Sequence, residues 1–514
     1  MAGFKIAVTV AEGDLTFTLP LYNRGTFNCV VYWGDTTNST ITAYDDADRV
    51  HTYPSTGTYE IEITGACPAW SFNNGGDRLK LTDIVYWGDS GDFGGFSYLA
   101  GGFFGCSNLA SFGTGSLGDR CTLVTDFSYT FCNCAGLTGT IPSFAACTLV
   151  TDFSYTFLGC SGLTGTIPSF AACTLVTDFS YTFCNCAGLT GTIPSFAACT
   201  LVTSFSATFY NCTGLTGTIP SFAACTLVTD FSYTFCNCSG LTGTIPSFAA
   251  CTLVTDFFAT FYNCTGLTGT IPSFAACTLV TSFSATFLGC SGLTLLENCF
   301  YEQADKGTRF LNKTVSFSNC FNRSTATGSQ GVAPDLWNCN FGTGTPTTDD
   351  CFSGDGNSAT SLENYKNIPT AWGGAPVSAP TITDIDTDEN VLTNQTNVAW
   401  IGTNNLPYQY EGVLYLSDSA TPGSGTMVPQ TIVDWSDTGG HFNVVQGTLS
   451  AGIVYAHLTT DRGDQVASGL AITLTAAQQG WQNVIEMNGI ATSGISKING
   501  ISVSGISKLN GIAV

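Results

Sequence analysis

Hydrophobic and polar residues follow two different periods along this chain. Residues 4–10 read FKIAVTV, in which every second residue is large and apolar, and this period of two predicts a half-buried β-strand. From Cys121 to about residue 302, a 26-residue unit, CTLVTDFSYTFCNCAGLTGTIPSFAA, occurs seven times with few changes. Near-identical units at a fixed period indicate a repeat architecture, in which each unit is stabilised by its neighbours.

Within one repeat, the pattern predicts a short helix followed by a short strand. Asp126 precedes FSYTFCNC, where its carboxylate would cap the free N–H groups of a helix. The run LTGTIP alternates large and small residues and ends in proline, which favours a strand closed by a turn. Neither element can bury its apolar side alone, so we expect the repeats to stack. The apolar positions of the first repeat are Leu123, Val124, Phe127, Phe131, Cys134, Leu137, Ile141 and Phe144.

The stretch VTDFSYTFCNCAGLTGTIPSF resembles the repeat of the BspA-like leucine-rich-repeat family, whose units carry an apolar-MF-x-x-C-x-x-L-x-x-L core. The resemblance extends over about residues 79–373, with phenylalanine at two positions where that family usually has methionine. It implies a right-handed solenoid and a relation to surface proteins that bind host or matrix molecules. Residues 79–120 would then form a degenerate N-terminal cap repeat, residues 121–302 the seven regular repeats, and residues 303–376 irregular closing repeats.

The two flanks resemble immunoglobulin-like modules. Residues 1–78 are similar to polycystic-kidney-disease (PKD) domains, and residues 377–476 contain six short β-like runs that resemble an IPT/TIG-like β-sandwich. Residues 477–514 repeat Asn-Gly-Ile every eleven residues and resemble the SISKINGI-type tails of phage structural proteins. The expected fold class is mainly β with short helices, a leucine-rich-repeat solenoid flanked by immunoglobulin-like β-sandwich modules. The PKD-like motif consists of Trp33, Gly34, Asp35, His51, Tyr53, Gly57 and Tyr59.

Charge is scarce and mostly acidic, with 14 Lys and Arg against 37 Asp and Glu and a formal net charge of −23. We expect no nucleic-acid partner, because phosphate binding needs clustered basic residues and the chain has no basic run. The first residues show no signal-peptide pattern, and no apolar stretch is long enough to cross a bilayer. We therefore expect neither Sec export nor a membrane span.

Enzymatic chemistry has little support in the sequence. The three histidines, His51, His441 and His457, lie in two different modules, and no common hydrolase, metalloprotease, phosphate-loop or dinucleotide motif occurs. Near-identical repeats also lack the asymmetric surroundings that a catalytic acid, base and orienting group need. We expect no catalytic residue, no cofactor and no metal site.

Two columns of cysteine recur at half the repeat length. Stacked units about 4.8 Å apart would bring equivalent Cα atoms within the range of roughly 4.4–6.8 Å seen in disulfides, but in-register side chains point the same way. Free, inward-facing thiols that act as small apolar fillers are favoured. Disulfides involving Cys132, Cys184 and Cys236 are an alternative, and metal ligation is another. The columns are Cys121, Cys147, Cys173, Cys199, Cys225, Cys251 and Cys277, and Cys134, Cys160, Cys186, Cys212, Cys238, Cys264 and Cys290.

A column of aspartates precedes the predicted helices. Ser204 and Ser282 occupy the same position in two repeats. Serine replaces aspartate well as a helix cap but poorly as a calcium ligand, so capping is favoured over calcium binding. The predicted caps are Asp126, Asp152, Asp178, Asp230 and Asp256.

Threonine and tyrosine are the candidate contact residues. The two threonines of Thr-Gly-Thr project on one strand face, which predicts a flat array that serves as a ligand or subunit face, as an ice-binding face, or simply as a solvated strand. The tyrosines, replaced by Ala207, Ala259 and Ala285 in other repeats, would stack sugars or pack the helix layer. The candidates are Thr138, Thr140, Thr164, Thr166, Thr190, Thr192, Tyr129, Tyr155, Tyr181 and Tyr233.

These patterns together predict a non-enzymatic phage virion protein, either a fibre or a surface decoration, that is assembled in the host cytoplasm. Receptor or carbohydrate binding through many weak contacts is a further expectation. The alternative is a BspA-like adhesin on a bacterial cell surface, and a more remote one is an ice-binding threonine array. The expected partners are copies of the chain, other virion proteins, and a host-surface receptor or glycan.

Overall fold

The computed structural model describes residues 2–323, 330–354, 357–358 and 361–374, and beyond these it describes ten strands between residues 381 and 502. It divides into two compact units, residues 1–374 and residues 375–514. The described residues are mainly β, with few and short helices, as the sequence predicts.

A five-stranded antiparallel sheet begins the first unit. In β1, Phe4, Ile6 and Val8 are fully buried and the residues between them are not, which confirms the predicted alternation. One-turn 3-10 helices lie at Ala47–Arg49 and Arg78–Lys80. The strands are β1 (Phe4–Val10), β2 (Thr16–Thr18), β3 (Asn28–Tyr32), β4 (Asn38–Ile41), β5 (Val50–Thr52), β6 (Gly57–Ala66) and β7 (Leu81–Tyr86), with the sheet order β4-β3-β6-β1-β7 and a separate β2–β5 pair.

Backbone hydrogen bonds continue from this sheet into the repeats. The N–H of Ala110 donates to the carbonyl of Thr82 at 2.9 Å, and the N–H of Thr138 donates in turn to the carbonyl of Ala110 at 3.0 Å. One hydrophobic core runs from Phe4 to Trp372. A four-residue helix, α1 (Leu117–Arg120), lies directly before the first repeat.

The prediction of a short helix within each repeat is wrong, because this segment forms a run of turns. The N–H of Phe153 donates to Asp178 in the next repeat at 3.0 Å, and the N–H of Phe157 donates to Thr182 at 2.9 Å. These N–H groups are therefore not available for the bonds of an α-helix. Tyr155 also has a φ of +58°, a left-handed conformation that interrupts any helix.

In most repeats the LTGTIP segment forms a single parallel bridge to the next repeat instead of the predicted short strand. Gly139 pairs with Leu163, and the equivalent pair recurs along the stack. In the last repeats the pairing widens to the two-residue strands β8 (Gly269–Thr270) and β9 (Leu293–Thr294). Gly165 has a φ of +75°, and a Cβ there would lie 2.7 Å from Cγ2 of Thr140, so this position requires glycine.

Phenylalanine columns fill the interior of the stack. Phe205 stacks on Phe179 and on Phe231, with ring centroids 5.7 Å apart in both pairs and interplanar angles of 2° and 8°. Phe222 meets the Phe205 ring edge-on at 5.0 Å. Each repeat therefore buries aromatic surface both within itself and against the repeats on either side of it.

The stack closes in an irregular segment with three 3-10 helices, Leu336–Asn338, Tyr365–Asn367 and Thr370–Trp372. The N–H of Phe352 donates to the carbonyl of Trp372 at 2.8 Å, and the Trp372 side chain is buried. Arg323 is buried beside this segment and donates to Asn357 and Gln330. The last turns thus cover the end of the aromatic core.

The second unit contains an antiparallel sheet in the order β10-β11-β14-β13-β12-β15-β16-β17. Each of the six β-like runs predicted here overlaps a described strand, β11 to β16. β18 and β19 form a separate antiparallel pair, and the other Asn-Gly-Ile positions of the predicted tail lie outside the described residues. The strands are β10 (Thr381–Asp386), β11 (Val398–Asn404), β12 (Leu414–Ser417), β13 (Met427–Ser436), β14 (Gly439–Asn443), β15 (Gly452–Leu458), β16 (Ala471–Leu474), β17 (Ile485–Met487), β18 (Lys497–Ile498) and β19 (Ile501–Ser502).

Candidate functional site

The threonines of the Thr-Gly-Thr motifs form an exposed surface, which we call the threonine face. Thr138 and Thr140 of the first repeat are both exposed, and so are Thr164 and Thr166 of the second and Thr190 and Thr192 of the third. Cγ2 of each second threonine lies over the glycine of the next repeat. The face therefore presents hydroxyl groups and partly covered methyl groups at the spacing of the stack. Ice binding by this face stays a prediction.

A row of exposed leucines lies elsewhere on the repeats, and the sequence interpretation missed it. Leu123 is 59% exposed, although the next residue, Val124, is fully buried. The N–H of Val124 donates to the carbonyl of Cys121 at 3.1 Å, so Leu123 lies in a turn at the surface of the repeat. This turn has none of the glycine, proline, asparagine or aspartate residues that usually mark turns, so the sequence carries no signal for the row. The leucine row consists of Leu123, Leu149, Leu175, Leu201, Leu227, Leu253 and Leu279.

Three of the candidate tyrosines stack directly on one another. The Tyr129 and Tyr155 rings are 4.5 Å apart with an interplanar angle of 4°, and the Tyr155 and Tyr181 rings are 4.7 Å apart with an angle of 6°. Both faces of the Tyr155 ring are therefore covered, and a sugar cannot stack on them. The column presents ring edges and hydroxyl groups, and burial raises the pKa of Tyr155.

The tyrosine column is interrupted where alanine replaces tyrosine. Ala207 is only 2% exposed, and the Tyr210 ring meets the Tyr233 ring edge-on at 6.0 Å. Tyr210 lies three residues after the alanine, at the position where the third repeat has Cys184. The column of stacked rings therefore ends at Tyr181, and an edge-on contact between Tyr210 and Tyr233 follows it.

The predicted aspartate caps bind turns instead of helices. Oδ1 of Asp152 accepts a hydrogen bond from the N–H of Ser154 at 2.7 Å, and Oγ of Ser204 accepts the equivalent bond from Ser206 at 3.2 Å. Serine thus replaces aspartate in the same role. Burial raises the pKa of Asp152, and the carboxylates of Asp126 and Asp178 in the adjacent repeats add to this effect. Asp178, Asp230 and Asp256 also accept the N–H two residues on.

The cysteine columns lie inside the stack, and all 24 cysteines are free and buried. Sγ of Cys186 donates to the carbonyl of Phe157 at 3.1 Å, and Sγ of Cys173 donates to the carbonyl of Phe144 at 3.6 Å. Burial raises the pKa of Cys173 to about 11. These thiols fill space and satisfy backbone carbonyls, and their burial makes them poor nucleophiles.

Buried threonines form a further column that the sequence interpretation missed. Thr182 is fully buried, and its Oγ1 lies 2.6 Å from the carbonyl of Phe179 and 3.0 Å from that of Phe153 in the preceding repeat. A repeated threonine within an otherwise aromatic run was the available signal. This hydroxyl supplies a donor to carbonyl groups that water cannot reach.

Five residues of the first unit, Trp33, Asp35, His51, Tyr53 and Tyr59, meet in one cluster. Nε2 of His51 lies 2.8 Å from Oδ2 of Asp35, and the His51 ring stacks on Trp33 at 4.6 Å. The hydroxyl of Tyr53 donates to the carbonyl of Trp33 at 3.1 Å, and its ring stacks on Tyr59 at 3.9 Å. Packing and hydrogen bonds thus account for the side chains of Trp33, Asp35, His51, Tyr53 and Tyr59.

Acid–base properties of this cluster follow from its hydrogen bonds. Burial acts to raise the pKa of Asp35, but hydrogen bonds from Thr37 and His51 outweigh it and hold the pKa below its usual value. The Asp35 carboxylate is therefore ionised and stabilises the turn after β3.

Comparisons of the chain with protein-family models, with curated proteins and with solved structures each found no match. Among the described residues, no group of three or more His, Cys, Asp or Glu side chains is placed to hold a metal ion. None of the described helices is long and apolar enough to cross a membrane.

Proposed function

We propose that this chain is a non-enzymatic structural or appendage protein of a phage virion, a fibre or a surface decoration assembled in the host cytoplasm. The observation that carries the proposal is the stack of near-identical repeats, each hydrogen-bonded to the next through the same backbone positions. Such a scaffold sets a length and repeats one surface many times. The resemblance of residues 477–514 to phage tails points to the virion.

The same proposal identifies the stack as a BspA-like leucine-rich-repeat solenoid, with a PKD-like module before it and an IPT/TIG-like sandwich in the second unit. The recurring parallel bridge between Asp126 and Asp152, and between their counterparts, supports a solenoid. The His51 side chain contacts Asp35 and the rings of Trp33 and Tyr53, which supports the PKD-like assignment because all four residues belong to the motif.

Recognition of a receptor or glycan is proposed for the outward residues of the repeats. The tyrosine column offers hydroxyl groups and ring edges, and the threonine face offers hydroxyl groups, so many weak polar contacts can add up along the stack. Tyr181→Ala tests this, because Ala207 occupies the equivalent position naturally and the repeat tolerates it. Loss of binding to host cells in this variant, but not in Thr190→Ser, would assign recognition to the tyrosines.

Mass spectrometry of purified virions from the source culture tests the virion assignment. The proposal expects peptides of this chain in virions at a constant ratio to the major capsid protein. Peptides found only in the host cell-surface fraction would overturn it and favour the alternative, a BspA-like bacterial adhesin. A virion preparation treated with protease before lysis is the control, since an exposed appendage is digested and an internal contaminant is not.

A further inference from the structure

The leucine row is an exposed apolar surface that repeats once in each of seven stacked units. Five of its members, Leu149 to Leu253, are 40–42% exposed, and the end members Leu123 and Leu279 are 59% and 50% exposed. Single exposed leucines are ordinary on protein surfaces, but a contiguous apolar row marks an interaction surface.

The surroundings of the row are uncharged, which restricts what can cover it. Between residues 121 and 276, the only charged side chains are the five aspartates of the turn column. Their carboxylates accept backbone N–H groups within their own repeats, as Asp152 does from Ser154 at 2.7 Å. The row is flanked by exposed threonines on both sides, Thr122 and Thr125 in the first repeat.

We propose that the leucine row is the contact surface between two copies of this chain. Each copy carries a formal charge of −23, so two copies repel each other except across an uncharged surface such as this one. A second copy also presents leucines at the same spacing, so the two rows match along their whole length. The contact is isologous, because the same residues are buried on both copies.

The net charge of the residues before the row favours antiparallel pairing of the two copies. Residues 1–120 contain 13 Asp and Glu against 6 Lys and Arg, a net charge of −7. Parallel rows would bring these two acidic segments together, whereas antiparallel rows place them at opposite ends of the pair. This inference is independent of the virion assignment and would survive its failure.

Sedimentation of the full chain over a range of concentrations tests the contact. The triple variant Leu175→Gln, Leu201→Gln, Leu227→Gln should dimerise at least about tenfold more weakly than the wild type. The matched control, Thr164→Gln, Thr190→Gln, Thr216→Gln on the threonine face, should dimerise as the wild type does. Equal unfolding midpoints would show that both variants fold, as expected for exposed positions.

Three results would overturn the proposal: a wild-type chain that stays monomeric, association that the leucine changes leave intact, or association that both triple variants weaken equally. The second result would assign assembly to another surface of the chain.

Amine cross-linking of the double variant Thr122→Lys, Thr278→Lys tests the orientation. Antiparallel copies should give links between residue 122 of one copy and residue 278 of the other. The same pair within one chain is six repeats apart, at about 4.8 Å each, and is out of reach of a short linker. Links between two residues 122 would overturn the antiparallel arrangement.

Discussion

The N-terminal sheet and the repeats bury aromatic residues in two different ways. Beside the sheet, Trp33, His51 and Tyr53 form one cluster of ring contacts that occurs once in the described residues. In the repeats, Phe205 stacks on Phe179 and Phe231, which occupy the same position in the repeats on either side. The sheet therefore depends on unique contacts, and the repeats depend on one contact made many times. Differences between repeats also show directly which changes a position tolerates.

Removing an aromatic ring from the middle of the stack should lower stability more than any other change considered below. Phe205→Ala empties a fully buried site between four aromatic neighbours, so the free energy of unfolding should fall by about 3–5 kcal/mol. Urea denaturation measures this. Phe258→Ser, an exchange that other repeats already contain, should cost far less. Equal losses for the two variants would contradict the picture of one shared core.

In the cluster around His51, loss of the buried Tyr53 hydroxyl group should lower stability more than loss of the exposed Tyr59 hydroxyl group. Tyr53→Phe leaves the buried carbonyl of Trp33 without its donor and should lower the free energy of unfolding by about 1–3 kcal/mol. Tyr59→Phe removes an exposed bond to Ser55 and should change it by less than about 0.5 kcal/mol. A similar small change for both variants would mean that the cluster is not specifically bonded.

Aspartates of the two regions should respond to pH in opposite directions. Asp35 has a lowered pKa, so its stabilising contribution is complete above the unfolded value of about 3.9 and is lost as the pH falls through the folded value. Asp152 has a raised pKa, so its ionised form destabilises the fold and protonation removes the penalty as the pH falls.

Asn variants measure these two effects. At about pH 7, Asp35→Asn should lower the urea midpoint and Asp152→Asn should raise it. The Asp152→Asn difference should disappear as the pH falls to the unfolded value of about 3.9, and the Asp35→Asn difference should disappear only as the pH falls below that value. Asp152→Ser, which copies Ser204, controls for the loss of the acceptor geometry. Shifts of the same sign for both Asn variants would refute the contrast between the regions.

A small gain in the free energy of unfolding is expected when a strained alanine of the last repeat is replaced by glycine. Ala285 has a φ of +54°, which glycine adopts without strain, so Ala285→Gly should stabilise the chain by up to about 1 kcal/mol. Ala197→Gly, at a position with ordinary backbone, should destabilise it slightly. Thermal denaturation distinguishes the two, and a destabilised Ala285→Gly variant would show that its methyl packing outweighs the strain.

The buried thiols of the repeats should not react with alkylating reagents in the native state. Because burial raises the pKa of Cys173 to about 11, alkylation near pH 8 should label no cysteine of the repeats until the chain is unfolded. Intact mass should be the same with and without a reductant. A mass lower by about 2 Da per cysteine pair under non-reducing conditions would reveal disulfides and contradict the free columns.

Much of the fold could be predicted from the sequence because burial follows a simple period. Alternation placed β1 correctly, and the 26-residue period predicted stacked repeats whose phenylalanines and cysteines face inward. The position of Asp152 predicted a side chain that accepts backbone N–H groups, although the acceptor serves a turn and not a helix. Leu123 was grouped with the apolar positions of the repeat, yet it is exposed.

The sequence by itself determined the period, the apolar content of each repeat and the scarcity of charge, since these depend only on which residues occur and how far apart. The tertiary structure decided which N–H groups bond within a repeat and which bond to the next repeat. The N–H of Thr156 bonds within its own repeat, and the N–H of Phe153 bonds to the next one. That choice replaced a helix by turns, stacked Tyr155 on its neighbours and turned Leu123 outward. The physical reason is that a backbone donor can bond to the next repeat only once that repeat lies beside it, and the local pattern does not show this.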